Sequence, residues 1–225
     1  MKTEDLIERL GGDLRPVKTL ASPARRVSLW LTCATAYVAV VVVQARVRHG
    51  ILGATADLPY VLGQLTAAVV GVAAAWVAFV SVIPGRRAPG ARAVVAIAAT
   101  VMMAALGWGA VRDLDTVGML GLGRETDWPC VVSISLGGGA LWALAVAMLR
   151  RGAPLTPAST SVMSSVAALS LANVEACISR AHAFTATVIV WHGATATVLL
   201  IVCVCVGHML FRWQRTRPAR SLGSS

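Results

Sequence analysis

The chain has 225 residues, of which 57% are hydrophobic and 13% are charged, and its mean hydropathy is +0.74. A soluble protein of this length cannot bury that much apolar surface, so the composition excludes an ordinary soluble domain. The net charge of +10 does not indicate nucleic-acid binding either, because many basic residues stand in pairs at the ends of apolar runs, as in Arg25-Arg26 and Arg150-Arg151.

The chain begins with a charged segment, residues 1–27, ahead of the first apolar run. Four of the ten acidic residues fall within its first thirteen positions. Leu6, Ile7, Leu10 and Leu14 share one face at helical spacing, which predicts a short amphipathic helix that ends near Pro16. Such a helix either lies on the membrane or docks into the groove of a cytoplasmic protein. Because anionic lipid repels an acidic polar face, the sequence favours docking at least as much as membrane binding.

Six apolar runs bounded by charge, Gly or Pro predict transmembrane helices, because backbone polar groups must be paired within lipid. The predicted spans are residues 28–45, 60–83, 92–111, 131–149, 158–178 and 184–211. The fifth is the weakest, since it is rich in Ser and contains Glu175 near its end. The predicted fold is therefore all-α: a bundle of six transmembrane helices at 28–211, preceded by the N-terminal amphipathic helix and followed by a disordered tail at 212–225.

The distribution of basic residues predicts the orientation of this bundle. The two termini and the loops at 84–91 and 150–157, with their flanks, carry fifteen of the twenty Lys and Arg residues, against five on the opposite side. The long loop 112–129 on that opposite side carries four acidic residues. By the positive-inside rule both termini are cytoplasmic and the acidic loop faces outward.

Several landmarks occur in an order that resembles the negative-regulator-of-sigma-F family. They are the opening MKTEDLIERLGGDLRPVK, the WPC at 128–130, the LRRGAPLTP loop and the WHG of the last span. The resemblance implies a bacterial inner-membrane anti-sigma factor with six spans, whose partner is a sigma factor of the extracytoplasmic-function type. Binding of that partner would fall to the residues that match the opening pattern of the family: Asp5, Leu6, Ile7, Leu10, Asp13, Leu14 and Pro16.

Two of the five cysteines lie where chemistry is expected. Cys33, Cys203 and Cys205 fall inside predicted spans, where cysteine behaves as a small hydrophobic residue. Cys130 and Cys177 instead fall at the outer ends of the fourth and fifth spans, so the topology brings both to the oxidising face. Such a pair can form a disulfide or bind a soft metal ion as thiolates, although two unlinked thiols are the alternative.

The family resemblance also implies a redox- or metal-responsive role for these two cysteines. His182, which follows Cys177, offers a third ligand should the pair bind a metal ion. Apart from such a metal ion, the sequence indicates no cofactor.

The remaining polar groups do not form an enzyme site in the sequence, since no acid, base and nucleophile are grouped together. We expect a sigma factor and the lipid bilayer as partners, with no nucleic acid and no small-molecule substrate. A small transporter or a structural subunit of a membrane complex is the alternative function. His192 in the last span marks a proton or ligand path, or bonds to a neighbouring helix. The run Gly137-Gly138-Gly139 predicts close helix contact or a bend.

Overall fold

Six helices account for most of the chain that the computed structural model describes. The described residues are 5, 21–49, 58–86, 88–117, 128–152, 154, 156–179 and 185–212. The helices are α1 (Pro23–His49), α2 (Leu58–Val80), α3 (Pro89–Val117), α4 (Trp128–Arg150), α5 (Pro157–Ser179) and α6 (Thr185–Arg212). Each helix overlaps one predicted span, and no strand occurs among the described residues. The prediction of an all-α bundle with six spans is confirmed.

Most of the helices extend beyond the predicted spans, and the reasons are local. Pro23, Pro89 and Pro157 begin their helices, whereas the predictions started after them. Proline is accepted there because the first N–H groups of a helix have no partner within the helix. At its other end α3 continues to Val117, so residues 112–117, which the sequence assigned to the outer loop, are helical. Trp128 and Pro129, the last two residues of that predicted loop, begin α4, and residues 118–127 lie outside the described residues.

The helices alternate in direction, and α5 lies at the centre of the bundle. It packs against α1, α2, α4 and α6, while α3 packs against α2 and α6. The sequence had marked this Ser-rich span as the weakest, yet its small side chains are what allow four neighbours to approach it closely. Thr160, Ser161, Ser164 and Ser165 are all buried in α5. Ser164 and Ser165 donate to the Ser161 carbonyl of their own helix, so burial leaves these hydroxyls satisfied.

All six helices are long and apolar enough to cross a membrane, which indicates a multi-pass membrane protein. Large apolar side chains such as Leu29, Ile97 and Leu136 point out of the bundle, as expected where lipid replaces water. The two ends of the bundle differ in the residues that they carry. The basic end carries Arg26, Arg86, Arg92, Arg150 and Arg151, and the cysteine end carries Cys130 and Cys177.

Candidate functional site

A buried carboxylate connects three helices toward the cysteine end. Glu175 of α5 is fully buried. Ser133 of α4 donates to its Oε2 over 2.9 Å, and Ser179, one turn further along α5, donates to its Oε1 over 3.0 Å. The Tyr37 hydroxyl of α1 donates to Oε2 over 3.5 Å. Since an unsatisfied carboxyl group in an apolar interior is costly, these hydroxyls explain how Glu175 is retained there.

The glycine run of α4 makes room for these contacts. A Cβ placed on Gly137 would lie 2.7 Å from Cζ of Tyr37, and one on Gly138 would lie 2.8 Å from Cδ2 of Leu169. The absence of both side chains therefore allows α1 and α5 to approach α4 closely. Gly139, by contrast, faces open space, with no atom within 4 Å of an added Cβ. The predicted close helix contact is present, and it depends on the first two glycines.

Next to Glu175, a thiol, an imidazole and an amide lie together. His192 Nδ1 of α6 is 3.5 Å from Cys177 Sγ and 2.9 Å from Asn173 Oδ1, both on α5. With the amide oxygen as acceptor, Nδ1 carries the ring proton, and the sulfur is then a second acceptor of the same N–H group. The two side chains of α5 thus fix one orientation of the His192 ring.

The backbone of α5 is held at the same level. The Tyr60 hydroxyl of α2 donates to the Cys177 carbonyl over 2.7 Å. That carbonyl is among the last four of α5, which have no acceptor role within the helix, so Tyr60 satisfies an otherwise open group. Residues of α2 and α6 therefore both contact Cys177, one at the backbone and one at the thiol.

Cys130 lies in the same layer of the bundle. It is fully buried, as is Cys177. In the antiparallel pairing of α4 with α5, Gly138 lies opposite Leu169 and Ser133 opposite Glu175. Continuing this register by one turn places Cys130 level with the last turn of α5, where Cys177 is located. All five cysteines fall within described helices, and no disulfide joins any two of them there.

At the basic end, the first turns of α1 are attached to α4 and α2. The buried Arg26 donates through Nη2 to the Met148 carbonyl of α4, and its guanidinium lies 5.2 Å from the centre of the Phe79 ring. Met148 stands in the last turn of α4, so a cation there satisfies an open carbonyl and interacts favourably with the helix dipole. One turn later, the buried Trp30 donates from Nε1 to the Leu141 carbonyl over 3.1 Å.

Comparison with protein families identifies the family to which this six-helix chain belongs. A model of the NrsF family, described as negative regulator of sigma F, matches residues 10–213. The chain belongs to the NrsF family. The family description indicates a negative regulator of a sigma factor, and a sigma factor as partner. Comparison with curated proteins gives no match, and neither does comparison with solved structures.

The predicted sites of this NrsF-family chain fall partly within the described structure. Cys130 and Cys177 are brought to one layer of two neighbouring helices. Of the seven residues predicted to bind the sigma factor, Asp5 is described and is exposed, whereas Leu6, Ile7, Leu10, Asp13, Leu14 and Pro16 lie outside the described residues. His182 lies outside them as well. In the described ranges, no group of three or more His, Cys, Asp or Glu side chains is arranged to hold a metal ion.

Sequence reasoning missed the role of Glu175, which connects α5 to α1 and α4 near the cysteine end. In the sequence Glu175 is only a polar residue near a helix end, and its partner Tyr37 lies 138 positions away. For His192, the sequence left open a bond to a neighbouring helix, and the structure shows that bond to Asn173. The spacing of Glu175 and Ser179, four apart on one helix face, was the available signal for a hydrogen-bonded pair.

Proposed function

We propose that this chain is a membrane-bound anti-sigma factor that sequesters an extracytoplasmic-function sigma factor through residues 1–27. The observation that carries the proposal is the match of the NrsF family model over nearly the whole chain, together with six helices able to span a membrane. In this proposal the protein resides in the bacterial inner membrane with both termini in the cytoplasm, and an envelope signal releases the sigma factor.

The signal would act on the thiols of Cys130 and Cys177. Both are buried in one layer of adjacent helices, and His192 contacts the sulfur of Cys177. A hydroperoxide can oxidise one thiolate to a sulfenic acid and is itself reduced to an alcohol; the second thiol then displaces water and closes a disulfide. A soft metal ion bound by both thiolates would draw the same two helices together. Either event favours a second packing of α4 against α5.

Helix α1 supports a physical connection between the thiols and the sigma-binding segment. Its Tyr37 contacts Glu175, two residues before Cys177, and its Arg26 contacts α4 at the basic end. About 21 Å of continuous helix joins Tyr37 to Pro23, at 1.5 Å per residue. Residues 1–22 precede α1 directly, so a displacement of α1 moves the point at which the segment enters the bundle.

Co-purification tests the role of the N-terminal segment. We expect a sigma factor to co-purify with the full chain, and not with a chain that lacks residues 1–20. A chain that lacks residues 214–225 serves as the matched control and should retain the partner. Retention of the partner without residues 1–20 would exclude this segment as its binding site.

Single cysteine substitutions test the role of the thiols. Cys130→Ser and Cys177→Ser should abolish the transcriptional response to peroxide and to a soft metal ion such as Cd²⁺, while repression in untreated cells persists. Cys205→Ser is the matched control, because Cys205 is exposed on the surface of α6 and should not alter the response. An unchanged response in both test variants would remove the thiols from the signal.

The buried Glu175 and His192 favour one alternative, a small transporter, because ionisable groups within spans often mark an ion or proton path. Proteoliposomes decide between the two functions. Proton uptake that requires Glu175, tested with Glu175→Gln, would support transport. We expect no such uptake, together with loss of sigma-factor control when the gene is deleted.

A further inference from the structure

A cavity opens at the basic end, between the last turns of α2, the turn at residues 81–88 and the first turn of α3. Its volume is about 450 Å³. The apolar wall is formed by Val77, Val80 and Ile83. Arg86 and Arg92 line the same space, together with Thr156, which directly precedes α5. The cavity is therefore amphipathic, with hydrocarbon on one side and two cations on the other.

The two arginines are not neutralised by the described part of the protein. Both are exposed, and no described carboxylate lies within ion-pair distance of either guanidinium. Three of the described acidic residues, Asp113, Asp115 and Glu175, belong to the opposite end of the bundle. Within the described ranges, an anion entering the cavity would thus meet two cations and no carboxylate paired with them.

The turn between α2 and α3 positions the first of these cations. Gly85 adopts a φ of 75°, a conformation that other residues rarely take. It lies next to Arg86, whose backbone N–H returns to the Ile83 carbonyl over 3.3 Å. The left-handed residue reverses the chain within a few positions, which places Arg86 beside the end of α2 and across from Arg92 of α3.

The position of the cavity along the bilayer normal indicates which class of anion it binds. The span of α2 ends at Val80 and that of α3 begins at Pro89, so the cavity lies where the hydrocarbon of a bilayer gives way to its headgroups. Arginine forms paired hydrogen bonds with phosphate oxygens, and basic pockets between helices at this level bind anionic headgroups. A phosphate ester free in solution would gain nothing from the apolar wall, whereas a lipid places its glycerol and upper acyl chain there.

We propose that this cavity binds the phosphate headgroup of an anionic phospholipid, with Arg86 and Arg92 contacting the phosphate and the side chains of Val77 and Val80 contacting the acyl chain. The site lies at the end of the bundle opposite the thiols, and it does not depend on the proposed control of a sigma factor.

Lipid titration of the full-length protein in detergent tests this assignment. Binding is followed by native mass spectrometry with a short-chain phosphatidylglycerol, the matched phosphatidylcholine and glycerol 3-phosphate. The test variants are Arg86→Gln and Arg92→Gln. Arg151→Gln is the control, since Arg151 is exposed at the same end of the bundle but does not line the cavity.

We expect saturable binding of phosphatidylglycerol, weakened about fivefold by each test variant and unchanged in the control. Equal weakening by Arg151→Gln would show that any cation at this end suffices, and would overturn the assignment. So would equal affinity for phosphatidylcholine. Equal affinity for glycerol 3-phosphate would identify a soluble phosphate ester as the ligand and refute a lipid site.

Discussion

The contact between Gly137 and Tyr37 yields a prediction about a single methyl group. In Gly137→Ala the new Cβ would lie 2.7 Å from Cζ and 3.0 Å from Cε1 of Tyr37, with the hydroxyl closer still. Such distances are below those of real Cβ contacts, so the Tyr37 ring must move. Because this ring is held between α1 and α4 and its hydroxyl bonds to Glu175, the movement disturbs two helix contacts at once.

The change in unfolding free energy expected for Gly137→Ala follows from two opposing effects. Inserting a methyl group into a packed contact costs about 1–3 kcal/mol. Alanine in place of glycine within a helix stabilises the helix by about 1 kcal/mol. Gly139→Ala is the matched control two residues away, because its Cβ meets nothing within 4 Å and only the favourable effect remains. The two alanine variants should therefore differ in unfolding free energy by about 1–3 kcal/mol, or roughly 5- to 150-fold in the unfolding equilibrium constant.

Unfolding in mixed detergent micelles, monitored by circular dichroism, measures this difference. The double variant Gly137→Ala/Tyr37→Leu extends the test, since leucine lacks the ring atoms that the new methyl group would meet. Against the Tyr37→Leu background, Gly137→Ala should cost little. Equal stability of the Gly137→Ala and Gly139→Ala proteins, or an equal cost in both backgrounds, would refute the steric explanation.

Two further stability predictions concern the basic end, and the same unfolding measurement applies to both. Arg26→Met removes the donor to the Met148 carbonyl and the cation above an aromatic ring, so it should cost about 1–3 kcal/mol, whereas Arg25→Met at the exposed neighbouring position should have almost no effect. Gly85→Ala should cost about 1–2 kcal/mol through its positive φ alone, because no atom lies within 4 Å of the added Cβ; Gly90→Ala, equally open but without that conformation, should not destabilise.

The six helices were predictable because each is a long apolar run, and hydropathy along the chain is a local property. Their neighbours in space are not local. Glu175 meets Ser133 from 42 positions away and Tyr37 from 138 positions away, and no periodicity in the sequence specifies those pairings. For the same reason the contact of His192 with the sulfur of Cys177, made between two helices, could not be predicted from the sequence. His182, the third ligand that the sequence predicts, lies outside the described residues.

The Ser-rich span shows the opposite limitation. Hydropathy ranked residues 158–178 lowest among the six, because each Ser and Thr lowers the mean. Within a bundle, a hydroxyl that donates to a carbonyl of its own helix already has a hydrogen-bond partner and can be buried without water. Burial of α5 thus depends on contacts between helices, which the mean hydropathy of the span does not include. Its central position could therefore not be predicted from the sequence.

The polar contacts of α5 with its neighbours are grouped toward its two ends. At the basic end, Thr160 pairs with Ser81, which directly follows α2, and Ser161 donates to the Val204 carbonyl of α6. Near the other end are the contacts of Glu175 and the Cys177 backbone. The described contacts between these two groups are apolar, through small residues such as Ala167 and Ala168. These apolar contacts interlock closely, as where Leu169 packs over Gly138, so the middle of α5 fixes its register and α5 cannot shift along its axis without unpacking those turns.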